Sequence, residues 1–163
     1  MEKKELELYI HIPFCVRKCN YCDFLSFPAD EDTQRQYVKA LCKEIFYYGA
    51  HCRDYVVSTV YIGGGTPSWL WESDMAEIMD AVHKNFALLP DAEVSVECNP
   101  GTVTAQKFAV YRQSGINRIS LGLQSAQNVE LKMLGRIHTW EQFLQTYELA
   151  RSGGFSNINV DLM

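Results

Sequence analysis

The chain has 163 residues, 47% hydrophobic and 21% charged, the balance of a globular domain and not of a disordered one. Its formal net charge of -5 gives no electrostatic footprint for nucleic acid or an anionic membrane. No apolar stretch is long enough to make it an integral membrane protein. The opening run Met1-Glu2-Lys3-Lys4-Glu5-Leu6-Glu7 lacks the apolar centre of a signal peptide, so a cytoplasmic setting is expected.

Leu6 to Ile12 reads as a strand with Leu6, Leu8, Ile10 and Ile12 on one face. A helix is expected from about Thr33 to Tyr48, with Tyr37, Leu41, Ile45 and Tyr48 at helical spacing. Val56 to Ile62 is β-branched and aromatic, a second strand, and Trp71 to Phe86 returns to helical spacing. Val94-Ser95-Val96 centres a third, short strand. Thr104 to Ser114 forms a helix with Thr104 as N-cap and Gly115 as its stop. Ile119 to Leu123 is a fourth strand, Thr139 caps a helix that ends near Gly153-Gly154, and Asn157 to Leu162 is a fifth strand.

Strands alternating with helices imply βαβ units and a parallel sheet with right-handed crossovers. A closed barrel needs more chain. The expected fold is therefore α/β, a partial parallel (β/α) barrel truncated after about the fifth strand, with residues 1–163 as its N-terminal part. The chemically able residues fall just after the strands: a cysteine cluster, Gly63-Gly64-Gly65-Thr66, Glu97-Cys98-Asn99-Pro100, Gln124-Ser125 and Asp161. In a parallel sheet these ends share one side, where active sites lie.

Of six cysteines, Cys15, Cys19 and Cys22 fall in one C-x3-C-x2-C run, while Cys42, Cys52 and Cys98 are scattered and read as small buried side chains. Three thiolates can bind three irons of a cubane and leave the fourth iron without a protein ligand. A structural zinc normally takes four ligands, and no fourth Cys or His stands at a suitable spacing. Three unliganded thiols remain the bland alternative. The glycine run allows backbone to approach a ligand closely; the alternative is a tight turn before Pro67.

Tyr9-Ile10-His11-Ile12-Pro13-Phe14-Cys15 followed by these cysteines resembles the radical SAM superfamily, and within it the coproporphyrinogen III oxidase-like group. Gly63-Gly64-Gly65-Thr66-Pro67, Glu97-Cys98-Asn99-Pro100, Gly122-Leu123-Gln124-Ser125 and Leu134-Gly135-Arg136-Ile137-His138 match that group in order and spacing. The resemblance implies a [4Fe–4S] cluster on Cys15, Cys19 and Cys22, and S-adenosylmethionine (SAM) beside it. It implies that SAM is split reductively to methionine and a 5′-deoxyadenosyl radical.

It further implies that Gly64, Gly65 and Thr66 hold the methionine end of SAM and that Glu97 accepts from ribose hydroxyls. Tyr9 matches a tyrosine near the cluster, although a strand aromatic is more often core. Tyr21, inside the cysteine loop, is placed to lie near adenine, with packing as the alternative. Gln124, Arg136 and Asp161 match positions that also contact SAM. In the oxidase branch Gln124, Arg136 and Asp161 would serve a second SAM, and Arg136 could instead pair with a propionate. His11 and His138 are candidate heme ligands, although a lone histidine is more often structural. In the oxidase branch another cysteine follows the third ligand by two residues; here that position is Phe24. Cys22-Asp23-Phe24 is similar to the heme chaperones of the HemW type, which bind heme and deliver it to target proteins. Oxygen-independent coproporphyrinogen III oxidase is the alternative.

Overall fold

The computed structural model describes residues 4–163; the first three residues of the charged opening run lie outside the described part. Five strands form one sheet in the order β1-β2-β3-β4-β5: Lys4–Ile12, Tyr55–Gly64, Leu88–Cys98, Arg118–Gln124 and Asn157–Leu162. Every neighbouring pair is parallel. The helices between them are α1 (Glu31–His51), α2 (Glu72–Asn85), α3 (Ala105–Gln113), α4 (Asn128–Met133) and α5 (Trp140–Ser152). A sequential strand order with right-handed crossovers places successive helices on the same face of the sheet. Accordingly α1 packs on α2, α2 on α3 and α3 on α5. The other face is the inner face of an open, partial barrel.

Strand alternation sorts the two faces. Ile10, Ile12, Val60, Ile62, Val94, Val96, Ile119 and Leu121 are buried in the core under the helices. The pairing register aligns Tyr9 with Tyr61, Tyr61 with Ser95 and Ser95 with Arg118, all of the opposite parity. One step further along, Glu97 pairs with Ser120, Ser120 with Asn159 and Gly122 with Asp161. The inner face is thus polar. Its groups satisfy one another: Ser120 Oγ donates to Asp161 Oδ2 at 3.0 Å, and Asn159 Nδ2 donates to Asp161 Oδ1 at 2.7 Å.

The caps expected from sequence form. Thr104 accepts from Lys107 N at 3.2 Å, and Thr139 with Gln142 completes a reciprocal capping box at the start of α5. Two strands are longer than their apolar runs. β2 continues through Gly63 and Gly64 because β1 pairs with it as far as Ile12 and Gly64. β3 starts at Leu88, with Pro90 in a stretch where the pairing to β2 is interrupted between Val57 and Thr59. α4 is six residues long, too short to show helical periodicity, and went unseen in the sequence. No helix among the described residues is long and apolar enough to cross a membrane.

Candidate functional site

At the C-terminal ends of the strands lies a cavity of about 430 Å³. One wall is the loop between β1 and α1, which carries Cys15, Cys19 and Cys22. This loop is closed on itself and pinned to its neighbours. Cys15 N donates to Phe27 O at 3.1 Å and Phe27 N to Pro13 O at 2.9 Å. Asn20 is held from the far side by Leu134 O (3.0 Å to its backbone N) and Met133 O (2.9 Å to Nδ2). Arg17 Nη2 donates to Gly135 O at 2.7 Å and Lys18 Nζ to Phe24 O at 3.1 Å.

The glycine run is what lets this loop lie against the sheet. Gly65 N donates to Ile12 O at 2.8 Å and Thr66 N to Phe14 O at 2.7 Å, so the β1–β2 ladder runs on into the cysteine loop. A Cβ on Gly65 would stand 2.7 Å from Phe14 O and 3.1 Å from Cys15 Sγ. Gly64 has φ of 115°, and a Cβ there would meet the His11 ring at 2.6 Å. Both glycines therefore serve the close approach of two chain segments. A valine at position 64 would disturb the cysteine loop itself, so it cannot report on ligand binding alone.

The expected site residues converge here, apart from Tyr9. Tyr21, Gly64, Gly65, Thr66, Glu97, Gln124, Arg136 and Asp161 line the same cavity as the three cysteines. Tyr9 is 61% exposed on the inner face outside the cavity wall, stacked on Tyr61 with ring centroids 6.3 Å apart. Gln124 takes φ of 72°, the left-handed region that a non-glycine residue enters at a cost of about 1–3 kcal/mol. The residue stands at the end of β4, on the wall of the cavity.

Glu97 is held by two donors: Tyr61 OH at 2.8 Å on Oε1 and Gly64 N at 3.1 Å on Oε2. Burial nevertheless pushes its carboxyl above the usual range, against the lowering effect of those two bonds. Arg136 reaches across the cavity, its Nη2 donating to Asn99 Oδ1 at 2.7 Å and to Gly122 O at 2.8 Å. Sequence reasoning missed Arg17, Lys18, Tyr61, Asn99 and Ser120 as wall residues. Asn99 stood inside a quoted motif, and strand parity from Glu97 and Tyr9 marks Tyr61 and Ser120 as facing inward.

The candidate heme ligands are both engaged. His11 Nδ1 bonds the Tyr9 hydroxyl and Nε2 bonds Leu25 O, each at 3.1 Å. His138 is 4% exposed, with Nε2 3.2 Å from Leu123 O and Nδ1 buried without a partner. Burial, then the nearby Arg136 charge, lowers the His138 pKa to about 4. An unfolded histidine titrates near 6.5. The stability held by neutral His138 is thus fully present above that pH and is lost as pH falls toward 4, by at most about 3 kcal/mol. Urea titrations of the cluster-free full-length protein from pH 7 to 4.5 should show this loss, and His138→Gln should flatten it. An equally steep loss in the variant would assign it to other groups.

The residues present fit an iron–sulfur cluster. The three thiols are free and share one wall with no fourth cysteine ligand beside them except the buried Cys98. That thiol is 2% exposed and its Sγ lies 4.0 Å from Val96 O of its own strand, and burial pushes its pKa up to about 12. Among the described residues no three Cys, His, Asp or Glu side chains are gathered tightly enough for a single metal ion. A zinc site draws its sulfurs to about 2.3 Å from one centre; a cubane spreads them over three irons. Arg17, Lys18 and Arg136 add positive charge around the three cysteines.

A parallel partial barrel whose first loop carries three cysteines, facing a cavity at the strand ends, defines the architecture of a cluster-dependent SAM protein. The chain belongs to the radical SAM superfamily, whose signature matches residues 9–163. It is 43% identical to the heme chaperone HemW of Escherichia coli (strain K12), over 97% of this chain and 42% of that protein. It is 36% identical to heme chaperone HemW of Bacillus subtilis (strain 168), over 95% of this chain and 41% of the relative. The chain therefore spans about two fifths of the length of these relatives. Among solved structures, coproporphyrinogen III oxidase (HemN) from Escherichia coli superposes with a TM-score of 0.90 at 30% identity, over 99% of this chain and 37% of that one. A structure of anSMEcpe with bound AdoMet and a peptide shares the fold, with a TM-score of 0.68 at 14% identity over 96% of this chain and 42% of that one. Membership in the superfamily implies a [4Fe–4S] cluster and SAM as cofactors.

Proposed function

We propose that this chain is the N-terminal part of the barrel of a heme chaperone that works in the cytoplasm, where thiols stay reduced. In this reading Cys15, Cys19 and Cys22 hold the cluster. Gly64, Gly65, Thr66, Glu97, Gln124, Arg136 and Asp161 receive SAM, with Tyr21 at the edge of the cysteine loop. Tyr9 acts from beside the cavity by stacking on Tyr61. Heme is the cargo, and hemoproteins that accept it are the partners.

The observation that carries the reading is the convergence of three free thiols and the polar strand ends on one cavity. Within it each residue has a definite task. The carboxylate of Glu97, fixed by Tyr61 and Gly64, is an acceptor for ligand hydroxyls. The Arg136 guanidinium puts positive charge on the cavity wall, where it would attract a ligand carboxylate. Gly64 and Gly65 line the cavity, where their backbone groups would meet a ligand. Bound on the three thiolates, a cluster would supply the electron for reductive cleavage of SAM.

The choice of chaperone over oxidase rests on Phe24. This side chain is 66% exposed and lines the cavity two residues after Cys22. A phenyl ring cannot replace a thiol in metal or redox chemistry, and the curated relatives cited above are named heme chaperones. The full-length protein, reconstituted anaerobically with SAM and a reductant, should therefore bind heme with a saturable absorbance change. It should leave coproporphyrinogen III unconverted, as followed by chromatography. Sustained decarboxylation of two propionate side chains would overturn the chaperone reading in favour of the oxidase.

A further inference from the structure

A directed run of hydrogen bonds crosses the cavity wall and joins two of the cysteines. Arg136 Nη2 donates to Asn99 Oδ1 at 2.7 Å, and Asn99 Nδ2 donates to Thr66 Oγ1 at 2.9 Å. Thr66 Oγ1 in turn lies 3.4 Å from Cys15 Sγ. At the other end Arg136 Nη1 approaches Cys19 Sγ at 3.6 Å.

The direction of this run follows from chemistry. A guanidinium has donors and no acceptor, so Asn99 must present its carbonyl oxygen to Arg136. Its amide nitrogen then faces Thr66. Because the Thr66 oxygen accepts from that amide, its own hydrogen is free to turn to the Cys15 sulfur. Asn99 joins the two sides of the run, accepting from Arg136 at Oδ1 and donating to Thr66 at Nδ2. Its backbone is fixed as well, with Asn99 N donating to Ser68 Oγ at 3.1 Å. Thr66 is 3% exposed, and its hydroxyl is held between the Asn99 amide and the Cys15 sulfur.

We propose that Asn99 is a positioning residue that aims the Thr66 hydroxyl at Cys15 and the Arg136 guanidinium at Cys19, and so raises the reduction potential of the cluster those cysteines hold. The inference rests on the cluster assignment above. Hydrogen bonds and positive charge at cluster sulfurs stabilise the added electron of the reduced state. Linked hydrogen bonds polarise one another, so the run acts as a unit.

The discriminating variant is Asn99→Asp. It keeps the shape and still accepts from Arg136, but it cannot donate to Thr66. The Thr66 hydroxyl then turns to the new carboxylate and away from Cys15, and the carboxylate offsets the Arg136 charge. The test is a dithionite titration followed by electron paramagnetic resonance, on full-length protein reconstituted without SAM. Asn99→Asp and Thr66→Val should keep wild-type iron and sulfide content and shift the midpoint potential to more negative values. Thr66→Ser, which retains the hydroxyl, should restore the wild-type potential. A wild-type potential in both Asn99→Asp and Thr66→Val overturns the proposal. Loss of iron and sulfide from these variants also overturns it, since the run would then support the loop instead of tuning the cluster. A wild-type protein that takes up no iron and sulfide fails at the cluster assignment, and that is read before any titration.

Discussion

Replacing Cys15, Cys19 or Cys22 singly by alanine is expected to abolish the brown chromophore of the anaerobically reconstituted full-length protein. Alanine at Cys42, Cys52 or Cys98 should leave it intact. The reason is both geometric and electrostatic. The three loop thiols share one cavity wall, with Cys15 seated beneath Thr66 and Cys19 facing Arg136. Metal binding needs thiolates. Cys98 is fully enclosed, and burial holds its thiol protonated up to about pH 12. Cys42 is half-buried against Glu77 O on the helix layer, and its pKa is likewise raised by burial. Cys52 follows α1, where its backbone N donates to Gly49 O. Iron and sulfide analysis with an absorption spectrum reads the result. Bleaching by Cys98→Ala, with the fold retained by circular dichroism, would show that the ligand assignment is wrong.

Much of this arrangement was legible in the chain because it is local. The alternation of Leu6, Leu8, Ile10 and Ile12 marks the helix-facing side of β1, and the same parity leaves Tyr9 and His11 on the inner side. The spacing of the cysteines, the run of glycines and the Thr139 cap are contained within a few residues each. What was not legible depends on partners far apart in sequence. Thr66 meets Cys15 across 51 residues, and Arg136 meets Cys19 across 117. No periodicity records such pairings; they follow from strand register and loop packing. The glycines show the same limit. The run itself signals close approach, but only the structure shows that the Cβ positions of Gly64 and Gly65 face the His11 ring and the Phe14 backbone. Asn99 read as a strand-end polar residue, and only the positions of Arg136 and Thr66 reveal that it links them.

Glu97→Gln should weaken SAM binding to the reconstituted full-length protein by about 10- to 100-fold without loss of the cluster. A charge-assisted hydrogen bond contributes about 1.5–3 kcal/mol, and each 1.4 kcal/mol is a factor of ten in affinity. The variant keeps the size of the side chain, and the Tyr61 hydroxyl can rotate to accept from the new amide, so the wall keeps its shape. The sign of the stability change separates binding from folding. Burial raises the Glu97 pKa above its unfolded value. A group of this kind contributes stability below its unfolded pKa, near 4.3, and loses it as pH rises through the folded value. At neutral pH the folded protein therefore holds a carboxylate at a cost, and Glu97→Gln should melt no lower than wild type at pH 7 to 8. Calorimetric titration with SAM and thermal melts on the same preparations give the two readings. Weaker binding with an undiminished melting temperature is the expected pair, because the buried carboxylate is held at a cost to the fold at neutral pH. Unchanged SAM affinity would move the hydroxyl-binding role to another residue of the wall.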